Sequence, residues 1–259
     1  MTTVRAKKHL GQHFLTDRNT AAKIVGALRP GLGYDCVLEV GPGMGILSNL
    51  LLSNAAYQTW LIDVDSESIQ FLQREYPQVG QRLIQGDFLA LDFSAYFPDR
   101  MAIIGNFPYN ISSQILFKIL DERRRVVEVV GMFQKEVAER CTAQPGSKAY
   151  GILSVFIQAY YHVEYLFTVK AGAFNPPPKV LSGVIRLTRN AVETLDCDER
   201  LFWRVIKMAF NQRRKTLRNA LSGLLPKEKM GDNPLYELRA ERLSVAEYVQ
   251  LTNEIASKL

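Results

Sequence analysis

The sequence predicts an α/β fold, a parallel sheet wound by helices, followed by a small all-helical domain. Short apolar runs alternate with longer amphipathic stretches through the first part of the chain, the pattern of a parallel sheet. From residue 199 onward only helical periodicity remains. At 259 residues, with 47% hydrophobic and 22% charged, the chain supports a sizeable core and excludes disorder and fibre. That length is long for one ordinary domain and short for two large ones. The expected division is therefore 1–190 and 195–259, parted by a polar, acidic stretch around 190–198.

The elements follow in order. A basic N-terminal segment, 1–20, carries Arg5, Lys7 and Lys8 before the first acid, Asp17. Apolar runs at 36–40, 59–62, 82–85, 101–105 and 126–132 read as strands. Amphipathic stretches at 46–53, 66–75, 113–120 and 134–141 read as helices. A Pro145-Gly146 turn leads into another helical pattern near 151–161. Two more extended runs, 164–169 and 181–187, are joined by a turn containing Pro176, Pro177 and Pro178. So short a connection predicts antiparallel pairing at one side of the sheet.

The net charge is +6, and its distribution matters more than its size. Residues 1–199 carry 20 basic and 20 acidic side chains, whereas 200–259 carry 12 and 6. The whole excess lies in the last segment, which points to an anionic partner there. Cys36, Cys141 and Cys197 are scattered and lack CxxC or paired His spacing. They support neither a disulfide framework nor a zinc site, and a reducing cytoplasmic compartment is expected. No apolar run approaches the roughly 18 residues of a membrane span, and no signal-peptide apolar region is visible.

The run Val37-Leu38-Glu39-Val40-Gly41-Pro42-Gly43-Met44-Gly45 reads as strand, glycine turn and helix start. Glycines there allow positive φ and close approach of a ligand to the backbone. Alone, such a loop also fits a plain tight turn. Asp63 ends the second strand 22 residues after Gly41, the offset at which an acid meets ribose hydroxyls in doubly wound, Rossmann-like folds. Asp65, just before the helical stretch at Ser66, suits a helix N-cap better. Asp87 ends the third strand, where an adenine amino group would lie. Dinucleotides and S-adenosylmethionine both fit the glycine loop with Asp63 and Asp87 at the next two strand ends. Glu39 favours the methyl donor, because its carboxylate would repel a pyrophosphate and attract a cationic amino acid.

The fourth strand runs into Asn106-Phe107-Pro108-Tyr109. A purine amino nitrogen is a poor nucleophile because its lone pair is delocalised into the ring. Acceptors aimed at its two N–H bonds direct that lone pair at a methyl group; Asn106 can supply one and the carbonyl of Phe107 the other. Pro108 stiffens the turn, and Tyr109 offers a face on which an extracted base stacks for about 1–3 kcal/mol. The bland alternative is a proline turn that merely closes a strand. No metal is called for, because a sulfonium is already an activated donor, and His9, His13 and His162 are poor candidates for acid or base.

With these residues the chain resembles the ribosomal RNA adenine dimethyltransferases, which dimethylate two adjacent adenines near the 3′ end of small-subunit rRNA. Seven blocks occur in that family's order. They begin at Lys8-His9-Leu10-Gly11-Gln12-His13-Phe14-Leu15, the glycine loop, Gly86-Asp87 and Asn106-Phe107-Pro108-Tyr109-Asn110-Ile111-Ser112-Ser113. They end with Pro145-Gly146-Ser147-Lys148, Phe174 with Pro176-Pro177-Pro178-Lys179-Val180, and Phe210-Asn211-Gln212-Arg213-Arg214-Lys215-Thr216. The resemblance implies a class I S-adenosylmethionine-dependent methyltransferase acting on 16S rRNA in the small ribosomal subunit, cytoplasmic and monomeric. It implies a donor site of Gln12, His13, Leu15, Gly41, Gly43, Asp63, Val64, Asp87, Phe88 and Asn106. Phe174 would stack on the flipped adenine opposite Tyr109. His13 stands where the family often has Asn, Asp63 where many members have Glu, and Phe107 where Leu or Ile is usual. Lys170-Ala171 takes a place often held by prolines.

Between 204 and 218, Arg204, Lys207, Arg213, Arg214, Lys215 and Arg218 occur with no acid. On one helix, 204, 207, 211, 214 and 218 share a cationic stripe while Phe202, Ile206, Phe210, Leu217 and Leu221 share an apolar one. These six are the expected RNA contacts. Arg123, Arg124 and Arg125 form a second cluster that fits either phosphate contact or a solvated loop. Two rival functions are a large-subunit rRNA methyltransferase of the antibiotic-resistance type and a ribosome-assembly factor that kept the fold.

Overall fold

The computed structural model describes residues 4–97 and 100–259. The first three residues of the expected N-terminal segment lie outside the described residues. The chain forms two compact units, residues 1–138 with 162–189, and 139–161 with 190–259.

In the first unit the strands are β1 (Phe14–Leu15), β2 (Cys36–Val40), β3 (Gln58–Asp63), β4 (Leu83–Gln85), β5 (Met101–Asn106), β6 (Val126–Gln134), β7 (Tyr161–Val169), β8 (Phe174–Asn175) and β9 (Ser182–Arg189). Seven form one sheet in the order β4-β3-β2-β5-β6-β9-β7. β4, β3, β2, β5 and β6 pair in parallel and β9 runs antiparallel to β6. β7 lies at the edge beside β9, where Arg186 of β9 grips Glu164 of β7 with two hydrogen bonds of 3.0 and 2.8 Å. The central strands are buried on both faces, which is why they read as unbroken apolar runs. A separate two-stranded sheet joins β1 to β8, with Leu15 opposite Phe174. Two-residue strands carry no periodicity, so this pairing left no mark in the sequence.

The first unit's helices include α1 (Arg18–Val25), α2 (Ser48–Leu51), α3 (Ser66–Glu75), α4 (Phe93–Tyr96) and α5 (Ser112–Asp121). Asp17 caps α1 and Asp65 caps α3, the latter accepting from the Glu67 amide as expected. Helix α6 (Lys135–Thr142) follows β6 and its residues fall in both units.

The second unit holds α7 (Ile152–Tyr160), α8 (Glu199–Asn211), α9 (Leu217–Ala220), α10 (Lys227–Met230) and α11 (Val245–Ala256). Two expectations are corrected here. Residues 139–161, assigned by sequence to the first domain, belong to the second unit: Phe156 of α7 stacks on Trp203 of α8 with ring centroids 3.8 Å apart, and Tyr160 donates to Glu199. The domain is therefore built from two stretches of chain. The continuous cationic stripe is also broken, because α8 ends at Asn211 and Thr216 bridges to Arg239 before α9 begins. Phe202, Ile206, Leu217 and Leu221 still point inward and are buried.

Candidate active site

A cavity of about 240 Å³ opens in the first unit at the carboxyl ends of β2, β3, β4 and β5. Gln12, His13, Gly41, Gly43, Asp63, Val64, Asp87, Phe88, Asn106, Phe107, Pro108 and Tyr109 all line it. In a parallel sheet this is the end where the strand-to-helix turns gather, so three separate motifs converge without being close in sequence.

The glycine loop leaves β2 with positive φ at Gly41 (69°) and Gly43 (54°). A Cβ on Gly41 would meet no atom within 4 Å, so the backbone faces open cavity there. A Cβ on Gly43 would lie 2.7 Å from the Phe14 ring. Asp63 fixes this loop: its carboxylate accepts from the Gly43 amide at 3.2 Å and from the Asp65 amide at 2.9 Å. Burial pushes the Asp63 carboxyl up despite these two donors. A carboxylate has about four lone-pair positions, so two remain for ligand hydroxyls. Asp87 caps the following turn through the Leu89 amide and stays exposed at the rim, beside the largely exposed Val64.

The N-terminal segment folds over this end of the sheet. Lys7 pairs with Asp65 and with Glu67, and Gln12 donates to Asp65 at 3.3 Å while accepting from the Lys7 amide at 2.8 Å. Burial alone would raise the Asp65 carboxyl, but the Lys7 and Gln12 hydrogen bonds outweigh it and hold it below the usual carboxylate range. Part of the N-terminal charge is thus engaged within the protein.

Asn106 donates through Nδ2 to the His13 carbonyl at 2.7 Å, which orients the amide and leaves Oδ1 as its unused end. The Phe107 amide donates to Met132 at 3.1 Å, whereas its carbonyl accepts no hydrogen bond among the described residues. The Pro108 carbonyl accepts from the Ile111 amide at 3.4 Å and shares the Ser112 hydroxyl, at 3.3 Å, with the Tyr109 carbonyl. The Phe107 ring turns into the core, 1% exposed, and packs on Phe133 with centroids 4.9 Å apart. Gly105 and Gly131, paired across β5 and β6, make room for it: a Cβ on Gly131 would lie 2.4 Å from that ring. The larger side chain is therefore accommodated away from the reacting groups.

Two expected site residues lie elsewhere. Leu15 is buried and borders a smaller adjoining cavity with Glu39, Gly41 and Asn106. Phe174 lines neither cavity; it is 4% exposed in the apolar cluster that also holds Leu15, Ile24 and Val184. Its pairing on β8 opposite β1 turns it inward, so in this structure it forms no clamp with Tyr109. The ring that does stack on Tyr109 is His13, at 5.5 Å and 30°. Glu39 accepts from Ser48 at 2.6 Å, and burial pushes its carboxyl up to about 8, with Asp63 adding to the rise. Sequence reading missed Phe14 and Ser182. Phe14 stands in the Lys8–Leu15 block without a role of its own, and Ser182 accompanies no motif although its hydroxyl bonds that of Tyr109 at 2.5 Å.

The expected RNA contacts divide. Arg204, Lys207, Arg214 and Lys215 are exposed. Arg213 instead donates to the Lys148 carbonyl at 2.8 Å and faces Glu241 at 3.6 Å. Arg218 donates to Glu237 at 2.7 Å and to the Gly231 carbonyl at 2.9 Å, over the Tyr236 ring. In the other cluster Arg125 pairs with Glu122 at 3.2 Å. Among the described residues no group of three or more His, Cys, Asp or Glu could hold a metal ion, and no helix is long and apolar enough to cross a membrane.

The profile of the family described as ribosomal RNA adenine dimethylase matches residues 3–257. Proteins named ribosomal RNA small subunit methyltransferase A are similar at 55% identity in Cytophaga hutchinsonii (100% of both chains) and 50% in Flavobacterium johnsoniae (98% of this chain, 97% of the other). Among solved structures, a dimethyladenosine transferase from Plasmodium falciparum superposes with a TM-score of 0.79 at 26% identity, covering 95% of this chain and 98% of that one. The 23S rRNA methyltransferase ErmE gives 0.68 at 25%, covering 94% and 99%. By a profile match over nearly its whole length, and by relatives sharing half its residues from end to end, the chain belongs to the ribosomal RNA adenine dimethylase family.

Proposed function

We propose that this protein dimethylates the exocyclic amino groups of two adjacent adenines in the 3′-terminal hairpin of small-subunit rRNA, using S-adenosylmethionine. The relatives at 50–55% identity carry small-subunit names, whereas the large-subunit enzyme matches at 25%, which favours the small subunit. The cavity suits the donor, with an open backbone at Gly41, buried Asp63 and Asp87 on the rim, while buried Glu39 borders the smaller cavity beside it. When bound there, S-adenosylmethionine supplies a methyl group already activated on a sulfonium.

The remaining work falls to the protein. Asp63 would hold the donor's ribose hydroxyls, Glu39 would face its ammonium, and the apolar Val64 and Phe88 would cover its adenine. The target adenine leaves its stack at a cost of a few kcal/mol and lies on Tyr109. Asn106 Oδ1 accepts one N–H of its amino group and the Phe107 carbonyl the other, which turns the nitrogen lone pair toward the methyl group. Positioning and exclusion of water account for the acceleration. After the first transfer one N–H is gone and one acceptor stands idle. The amino proton leaves to solvent. In the second unit Arg204, Lys207, Arg214 and Lys215 contact rRNA phosphates. The protein acts as a cytoplasmic monomer on subunits under assembly.

The observation that most supports this reading is the hydrogen bond of Asn106 Nδ2 to the His13 carbonyl, which leaves Oδ1 to accept from the target amino group. Asn106→Ala removes that acceptor and should lower methyl incorporation by about 10²–10³ in kcat, while donor binding weakens but stays measurable. Wild-type turnover by Asn106→Ala would rule the mechanism out.

A further inference from the structure

Tyr109 is held at both ends. Its backbone follows Pro108 (φ −58°), and its carbonyl accepts from Ser112 at 3.2 Å. Its hydroxyl meets that of Ser182 at 2.5 Å, and its ring stacks on His13. His13 Nδ1 in turn donates to the Pro176 carbonyl at 2.9 Å; a carbonyl only accepts, so that nitrogen carries the proton. Pro176 and Ser182 lie at the two ends of the single connection from β8 to β9. One loop therefore fixes the hydroxyl end of Tyr109 and the imidazole on its face.

Ser182 itself is fully buried at the start of β9, opposite Gln134 of β6, so its hydroxyl sits on a rigid element of the sheet. Tyr109 by contrast is half-buried on the cavity wall. A tyrosine hydroxyl adds nothing to apolar stacking. Its bond to a buried serine serves to set the ring plane, and a base gains full stacking only from a platform already ordered before it arrives.

We propose that Ser182 is a positioning residue for the target adenine, acting through the Tyr109 hydroxyl to fix the plane on which the extracted base stacks. The inference rests on the reading of Tyr109 as the base platform. The test is a double-mutant cycle on the full-length protein with Ser182→Ala, Tyr109→Phe and the pair, plus Tyr109→Ala. The readouts are kcat/KM for undermethylated small subunits, KM for S-adenosylmethionine, and the thermal unfolding midpoint. Ser182→Ala and Tyr109→Phe should each lower kcat/KM about three- to tenfold, leave the donor KM unchanged, and together lose no more than the larger single loss. Wild-type kcat/KM in Ser182→Ala, or losses that multiply, would overturn the proposal. Should Ser182→Ala fail to fold, Tyr109→Phe cuts the same bond from the cavity side, and its wild-type kcat/KM would overturn it alone. Tyr109→Ala separates the two readings. If it turns over normally, the platform itself is wrong; if it is crippled while Ser182→Ala is not, only the positioning role falls.

Discussion

Replacing Gly131 with Ala should disturb the catalytic loop from behind. The new Cβ would lie 2.4 Å from Phe107 Cε2 and 2.6 Å from Phe133 Cε2, against about 3.5–4.0 Å for carbons in ordinary contact. Neither ring has a free direction, since both are at most 1% exposed, and Gly105 closes the other side of Phe107. Gly131 is not among the residues with positive φ, so alanine fits the backbone and the cost is purely steric. Overpacking of this kind costs about 1–3 kcal/mol. The relief available is a shift of Phe107, which carries Asn106 and Tyr109 with it. A misplacement approaching 1 Å costs about 10²-fold in rate. Denaturant unfolding of Gly131→Ala should therefore show the loss in stability, and methylation of undermethylated subunits a drop of about 10- to 100-fold, with donor affinity nearly intact. Adding Phe107→Leu should restore part of both, a coupling of about 0.5–3 kcal/mol. A wild-type unfolding midpoint, or no relief from Phe107→Leu, would refute this seating of the ring.

Other outcomes follow from the same geometry. Burial pushes the Glu39 carboxyl up to about 8, which favours its protonated form at neutral pH in the free protein. If the donor's ammonium requires the carboxylate, donor affinity should climb with pH by up to about tenfold per unit below 8 and then level, and Glu39→Gln should flatten the curve in calorimetric titrations. Because the folded state holds that proton and the unfolded state releases it near 4.5, Glu39 should also make the protein less stable as pH rises from about 4.5 to 8, visible in pH-dependent unfolding. With Arg213 and Arg218 engaged internally, the slope of log K for single-stranded RNA against log salt should be about −3 for four contacts rather than about −4 for six. Arg218→Ala should lower the unfolding midpoint and leave that slope unchanged, whereas Arg214→Ala should reduce its magnitude by about 0.7. Lys7→Ala should weaken donor binding by at most about fivefold, since Lys7 is itself partly exposed and Glu67 lies at the surface, although Asp65 is buried.

What could be read from the sequence depended on the range of the interaction that fixes each feature. The glycine loop, Asp63, Asp87 and the Asn106-Phe107-Pro108-Tyr109 turn are set by strand ends, and a parallel sheet brings strand ends together automatically. The apolar runs of the central strands were legible for the same reason. The position of Phe174 was not, because it depends on a two-residue pairing with β1 from the far end of the chain. Nor was the discontinuous second unit, which exists because Phe156 meets Trp203 across more than forty intervening residues. The helical stripe from 204 to 218 looked continuous since its periodicity survives the break at Asn211; Gln212 and Arg213 carry no strong helix-stopping signal, and the bridge of Thr216 to Arg239 decides the matter. Likewise the six cations looked alike in sequence, and Glu237, Glu241 and the carbonyls of Ser147, Lys148 and Gly231 set Arg213 and Arg218 apart.

In the proposed reaction Asn106, the Phe107 carbonyl and Tyr109 converge on adenine amino groups of the small subunit. Its most direct test is to incubate the purified protein with methyl-labelled S-adenosylmethionine and undermethylated small ribosomal subunits, then map the labelled nucleotides. The prediction is dimethylated exocyclic nitrogens on two adjacent adenines near the 3′ end of the small-subunit rRNA, lost with Asn106→Ala. Label on large-subunit rRNA, on another base, or on no RNA at all would contradict it.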